Sequence, residues 1–253
     1  MKFGGTSVAN ADNMLKVTEI VAKAAERDRT ILVVSAISGC TDTLIKIGTL
    51  AAERDESYKD LIDGLQLKHH EIIGSLLPLE KHEESKETCD RLFDSLRGIA
   101  QGVFLLGELS PASLDAIQSF GELWSTKILA TKLASIGIAT KWTDSREIIK
   151  TGTENGKTTV DIAQTYSLVK SMTEANPITQ LFVVPGFIAS DMHGRTTTLG
   201  RGGSDYSASL YAVGCNARIL EIWTDVSGMM TANPKVAPSA HTISHISYKA
   251  ALE

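Results

Sequence analysis

Two glycine-rich turns, each beside a cationic side chain, carry the most chemistry in this sequence. Lys2 precedes Gly4-Gly5-Thr6-Ser7, and Arg201 stands inside Gly200-Arg201-Gly202-Gly203-Ser204-Asp205. Paired glycines let a backbone approach an anion closely, and successive N–H groups cradle phosphate oxygens. Lys2 can meet such a group as a compact point charge. Arg201 can clamp a carboxylate through two parallel hydrogen bonds. The first turn lacks the GxxxxGK[ST] pattern, and a plain strand-to-helix turn explains it equally well. Asp205 alone reads as a first-turn carboxylate favoured by the helix dipole. Two such turns in one chain are harder to dismiss than one.

Two further small-residue loops follow apolar runs. Ser35 through Thr41 offers hydroxyls to a small polar ligand, with ordinary turn chemistry as the other reading. Trp223-Thr224-Asp225 leads into Ser227-Gly228, which suits either a nucleotide contact or an Asx-type turn. Glu122 interrupts an apolar helical stretch beside Gly121. By default a glutamate faces solvent; a buried one needs a cationic partner.

The elements that must position these residues alternate between strand and helix. Residues 1–3 read as the end of a strand, and Met14, Val17, Ile20, Val21 and Ala24 recur at helical spacing behind an Asn10 or Asp12 cap. Residues 30–35 form a continuous apolar run, as in a strand covered on both faces. From about residue 42 to 136 the pattern is helical, with Ser110-Pro111 starting one helix and residues 76–87 reading as a solvated linker. Strands are expected at 138–142, 181–184 and 218–224, a helix capped by Asp161, a hairpin over 187–199 with its turn at His193-Gly194, and a helix to Cys215. This order predicts an α/β fold, a three-layer αβα sandwich with a mainly parallel sheet. Ligands of such sheets bind beyond the carboxyl ends of the strands, where all four small-residue loops fall.

Composition excludes several classes. A formal net charge of −5 without a basic run argues against nucleic acid. Cys40, Cys89 and Cys215 are widely separated and form no zinc-ligand spacing, so no metal is expected on protein ligands alone. Sparse, odd cysteines fit a reducing cytosol. No apolar run approaches the roughly 18 residues of a membrane span, and the expected location is cytoplasmic.

Four ordered strings resemble the aspartokinases: KFGGTS at Lys2–Ser7, SFGELWST at Ser119–Thr126, GRGGSDYSA at Gly200–Ala208 and WTDVSGM at Trp223–Met229. The stretch VFLLGELSP at Val103–Pro111 is most similar to bifunctional aspartokinase–homoserine dehydrogenases. The resemblance implies the amino-acid kinase fold, ATP and Mg²⁺ as cofactors, and phosphorylation of the L-aspartate side chain, the first step toward lysine, threonine and methionine. It implies that Lys2 neutralises the transferred phosphoryl group and that Asp205 orients Lys2. Gly4, Gly5, Thr6, Ser7 and Ser204 line the phosphate site. Arg201 holds the α-carboxylate of aspartate, Glu122 its α-ammonium, and Ser35 and Thr41 add hydrogen bonds. Thr224, Asp225 and Lys235 face the nucleotide.

Where family members often carry Tyr, Asp and Arg, this chain has Met230, Asn233 and Lys235, which implies weaker adenine and ribose contacts. The first strand is short, and relatives continue past Glu253 into ACT-type modules. The expectation is therefore a kinase domain over residues 1–253, incomplete at its C-terminus, from a protein that forms homo-oligomers at full length. The competing readings are a related kinase with another carboxylate acceptor and a silent nucleotide-binding fragment.

Overall fold

A computed structural model describes the chain except residues 155–156, 227, 234–235, 248 and 251–253. Lys235 therefore lies outside the described residues.

The elements run in chain order: β1 (Lys2–Phe3), a 3-10 turn (Gly5–Val8), α1 (Ala11–Ala25), β2 (Thr30–Val34), α2 (Cys40–Ala52), α3 (Tyr58–Leu76), α4 (His82–Leu106) and α5 (Pro111–Ser135). Then follow β3 (Thr140–Trp142), α6 (Ser145–Ile148), β4 (Lys150–Glu154), β5 (Lys157–Val160), α7 (Ile162–Glu174), β6 (Leu181–Pro185), β7 (Ile188–Asp191), β8 (Thr196–Thr198), α8 (Gly203–Gly214) and β9 (Ile222–Trp223).

Side-chain caps start several helices, each accepting an orphan N–H of the first turn. Asn10, not Asp12, caps α1 through Asn13 N–H. Ser110 caps α5 with Pro111 at its first turn, and Asp161 caps α7.

A five-stranded sheet has the order β3-β6-β2-β1-β9, and every pairing in it is parallel. Its strands alternate sides with period two. Leu32 and Val34 of β2 and Leu181 and Val183 of β6 enter a core built with α1 to α5. Val33, Phe182 and Val184 point the other way, into a smaller core with Val169 of α7 and Leu210 and Tyr211 of α8. Two apolar layers thus sandwich the sheet, as its apolar strand runs require.

The structure departs from the sequence expectation in three places. Residues 76–87 are no linker: α3 reaches Leu76, a 3-10 turn spans Leu79–Lys81, and α4 starts at His82 with Glu83 and Glu84 in its first turn. Acidic side chains there complement the helix dipole. The last strand covers only Ile222–Trp223 of the expected 218–224. A second sheet, order β5-β4-β7-β8, extends the expected 187–199 hairpin by two unforeseen strands.

Candidate active site

The carboxyl ends of β1, β2 and β6 open onto a cleft of about 350 Å³. Lys2, Gly5, Ser35, Thr41, Glu122, Ser204 and Asp205 line it together with Gly200, Gly202 and Phe187. Lys2 Nζ lies 2.7 Å from Asp205 Oδ1. The lysine side chain is only 12% exposed while the aspartate is 53% exposed, so the ion pair is anchored at the cation and open at the anion. Gly4 sits beside Lys2, where a side chain would come 3.6 Å from its Nζ.

Two helix N-termini border this cleft. Gly39 precedes α2 and Gly202 precedes α8, both in the left-handed conformation (φ 78° and 75°) and both without a side-chain cap. The N–H groups of Cys40, Gly203 and Asp205 are used by the Ile37, Gly200 and Gly202 carbonyls, which leaves those of Thr41, Asp42 and Ser204 available at the positive ends of the two helix dipoles. The arrangement suits a polyanion such as a triphosphate. Asp42 and Asp205 occupy the two first turns.

Ala36 joins the pieces. Its N–H donates to Glu122 Oε1 at 3.1 Å. A Cβ on Gly5 would meet the Ala36 carbonyl oxygen at 2.8 Å, and a Cβ on Gly121 would meet the Ala36 Cβ at 2.7 Å. Only glycine at these two positions lets the 5–8 turn and α5 approach the end of β2 so closely. Ser38 N–H to Gly5 O, 3.2 Å, fixes the same contact.

Glu122 is buried, 3% exposed, with Oε2 lacking any partner. Burial pushes its carboxyl up to about 8, against the N–H of Ala36. The default reading of a solvent-facing glutamate is thus overturned, and no lysine, arginine or histidine among the described residues pairs with it. The neighbouring Cys40 thiol is pushed up to about 12 by burial and by Glu122, which leaves it inert.

Arg201 is exposed, set between the lining residues Gly200 and Gly202, and makes no hydrogen bond or ion pair with a described residue. Thr6, Ser7, Thr224 and Asp225 line a second cleft, of about 280 Å³, on β1's other flank, floored by Phe3 and Trp223. These two rings stack with centroids 5.5 Å apart. Sequence reasoning missed Lys16 and Asn13 in this second cleft and Asp42 and Phe187 in the first. For Lys16 and Asn13 a signal existed, since they sit one turn apart on the helix following the glycine turn. Phe187 follows Pro185-Gly186 and has φ 67°, which nothing in its side chain announces. No group of three His, Cys, Asp or Glu that could hold a metal occurs among the described residues.

Residues 1–253 match the amino acid kinase family. The chain belongs to that family. Among curated relatives of this amino acid kinase, the lysine-sensitive aspartokinase 3 of Escherichia coli (strain K12) is 35% identical over all of this chain and 54% of its own length. The chloroplastic bifunctional aspartokinase/homoserine dehydrogenase 2 of Arabidopsis thaliana is 30% identical over all of this chain and 27% of its own. The solved E. coli aspartokinase III with aspartate and ADP superposes with a TM-score of 0.83 at 33% identity, covering 96% of this chain and 52% of that one. Clostridium acetobutylicum aspartate kinase gives 0.76 at 27% identity, covering 98% of this chain and 52% of that one. The chain thus spans about half the length of the E. coli and Clostridium aspartokinases and about a quarter of the bifunctional relative.

Proposed function

We propose that this chain is the kinase portion of an aspartokinase, transferring the γ-phosphoryl group of ATP to the side-chain carboxylate of L-aspartate. The carrying observation is Glu122: a buried carboxylate with one unpartnered oxygen, lining the cleft that the Lys2–Asp205 pair borders. A buried carboxylate lacking a cation matches a ligand that brings its own. The α-ammonium of a free amino acid does so, and an N-acylated substrate does not. The relatives' names, and the E. coli neighbour solved with aspartate and ADP, support the same assignment.

The acceptor carboxylate, with an ordinary pKa of about 3.9, is ionised at neutral pH, so the reaction needs no general base. Its obstacle is repulsion between two anions. Each pair of unit charges at about 4 Å repels by roughly 4 kcal/mol at an effective dielectric near 20. Lys2 would offset that charge, held in place by Asp205. The first-turn N–H groups of α2 and α8 would add fixed dipoles that need no reorganisation. Glu122 and Arg201 would hold the ammonium and α-carboxylate of aspartate, with Ser35 and Thr41 fixing its rotation. This leaves the side-chain carboxylate directed toward Lys2, in line with the transferring group. Gly4, Gly5 and Ser204 would border the phosphates. Thr6, Ser7, Thr224, Asp225 and Lys235 would serve the nucleotide. Mg²⁺ would ride chiefly on phosphate oxygens, where it neutralises developing charge.

The product is an acyl phosphate, which hydroxylamine traps as a hydroxamate. Incubation with ATP, Mg²⁺ and L-aspartate should give aspartyl hydroxamate; N-acetylaspartate and L-glutamate should give little. Equal turnover of the acylated acceptor would overturn the Glu122 argument. No described helix is long and apolar enough to cross a membrane, and we place the enzyme in the cytoplasm as a homo-oligomer of the full-length protein.

A further inference from the structure

Asp115 lies outside the cleft, yet it touches the strand that delivers the arginine turn. Thr198 Oγ1 donates to Asp115 Oδ1 at 2.8 Å. Burial of half the carboxyl raises its proton affinity, while the hydroxyl and backbone N–H of Thr198 act against that rise. An ionised group held half out of water is costly unless it is hydrogen-bonded, so this contact is more than incidental packing.

Its position gives the contact a consequence. Thr198 ends β8, and Leu199, Gly200 and Arg201 follow directly. Gly200 and Gly202 have φ 71° and 75°, with open space where side chains would be. At the turn's far end Gly203 packs against Phe187 and Leu199, and its N–H donates to Gly200 O at 2.9 Å. The strand end that leads into the turn is held by Asp115 at Thr198 and by the Phe187 carbonyl, which accepts Leu199 N–H at 2.9 Å. Asp115 also shares α5 with Glu122 seven positions on, about two turns, so both stand on nearly the same side of one rigid helix.

We propose that Asp115 is a positioning residue, tying the helix that carries Glu122 to the strand that presents Arg201 and so fixing the distance between the two groups that grip aspartate. The inference rests on the proposed function for the role of those groups. The tether cross-links the ammonium partner to the carboxylate partner without touching ligand.

Thr198→Val removes the donor and keeps the shape; Asp115→Ala removes the acceptor; Asp115→Asn keeps one acceptor oxygen for the hydroxyl. Hydrogen exchange on the unliganded chain reads the tether independently of any reaction. Thr198→Val and Asp115→Ala should speed exchange at residues 199–204 while the α2 and β6 amides keep their rates. In kinetics, both should raise the aspartate KM about tenfold, the equivalent of one lost hydrogen bond to a charged group. The ATP KM and kcat should stay within about twofold, and Asp115→Asn should recover most of the loss. Unchanged exchange in 199–204 overturns the tether whatever the activity. Faster exchange with an unchanged aspartate KM reduces the contact to a fold element and overturns the positioning role. If the parent chain forms no aspartyl hydroxamate while its exchange responds, the functional reading has failed, and the assignment to an aspartate grip falls with it.

Discussion

Lys2 Nζ and Asp205 Oδ1 meet at 2.7 Å although they come from the first strand and from the first turn of the helix α8 near the other end of the chain. The first glycine turn follows β1, and the second joins β8 to α8, so that residues of both line one cleft. Lys2→Ala should cut kcat by about 10²–10³-fold, the usual effect of removing one preorganised group facing transition-state charge. Stability should change by about 1 kcal/mol or less, because the remaining aspartate is half exposed and solvates itself. Hydroxamate rates beside urea melts check both halves. A variant that melts normally and turns over normally would remove Lys2 from the chemistry.

Glu122 makes stability depend on pH. Its folded value of about 8 stands above the ordinary 4.5, because burial penalises the charged form. The folded state therefore keeps a proton that the unfolded chain releases. The contribution is fully present below about pH 4.5 and is lost as pH rises through about 8. Glu122→Gln cannot ionise, so the wild type should lose stability relative to this variant between pH 5 and 8. Urea melts of both at each pH measure the difference; parallel curves would contradict it.

The same proton should report on the ligand. An ammonium beside Glu122 favours its ionised form, so L-aspartate binding at pH 7 should release close to one proton. Calorimetry in buffers of different ionisation enthalpy counts it. Affinity should rise with pH up to about 8 and then level off. Glu122→Gln should bind aspartate at least about 100-fold more weakly, having lost a buried charge partner, and should release no proton. Equal proton release by the variant would assign that proton elsewhere.

Much of this was legible in the chain because it is local. Asn10, Ser110-Pro111 and Asp161 are caps, and a cap is decided within four residues. Residues 30–34 and 181–185 are strands that any periodicity reading finds. What stayed hidden depends on distant partners. β4 reads Lys-Thr-Gly-Thr-Glu, with no apolar alternation, and is a strand only because β5 and β7 flank it. Residues 119–126 of α5 are buried all round, although serine, threonine and glutamate are among them. The glycine turns announced an anion site, but nothing in Glu122's neighbours showed that one of its oxygens would be left unpaired.

The two clefts flanking β1 predict a separation of substrates. Ser35 lines the cleft holding Glu122, whereas Asp225 lines the one shared with Thr6 and Ser7. Ser35→Ala should raise the KM for aspartate several-fold and leave that for ATP nearly unchanged. Asp225→Ala should do the reverse. The expected size is about 1 kcal/mol each, near fivefold, for one net hydrogen bond. Steady-state kinetics varying each substrate in turn decides it, and a joint rise in both constants for either variant would dissolve the division.

Gly5 is where the phosphate turn and the substrate loop are pressed together. A methyl group there would stand 2.8 Å from the Ala36 carbonyl oxygen, a backbone atom that no rotamer change can move aside. Gly5→Ala must therefore separate the turn from the loop, lengthening the Ser38 N–H to Gly5 O bond of 3.2 Å and disturbing the Ala36 N–H that Glu122 accepts. The cost should be about 1–3 kcal/mol, as for other insertions into close-packed sites. Activity should fall further than this stability loss explains, because the displaced loop carries Ser35 and leads into the first turn of α2, which carries Thr41. A neighbouring control, Gly39→Ala, tests the other reason for a glycine: its φ of 78° strains any side chain although nothing lies within 4 Å. That strain should cost about 1–2 kcal/mol without moving the 5–8 turn. Thermal melts with hydroxamate rates on both variants separate crowding from strain. Gly5→Ala behaving no worse than Gly39→Ala would show that the turn and the loop are not in contact as described.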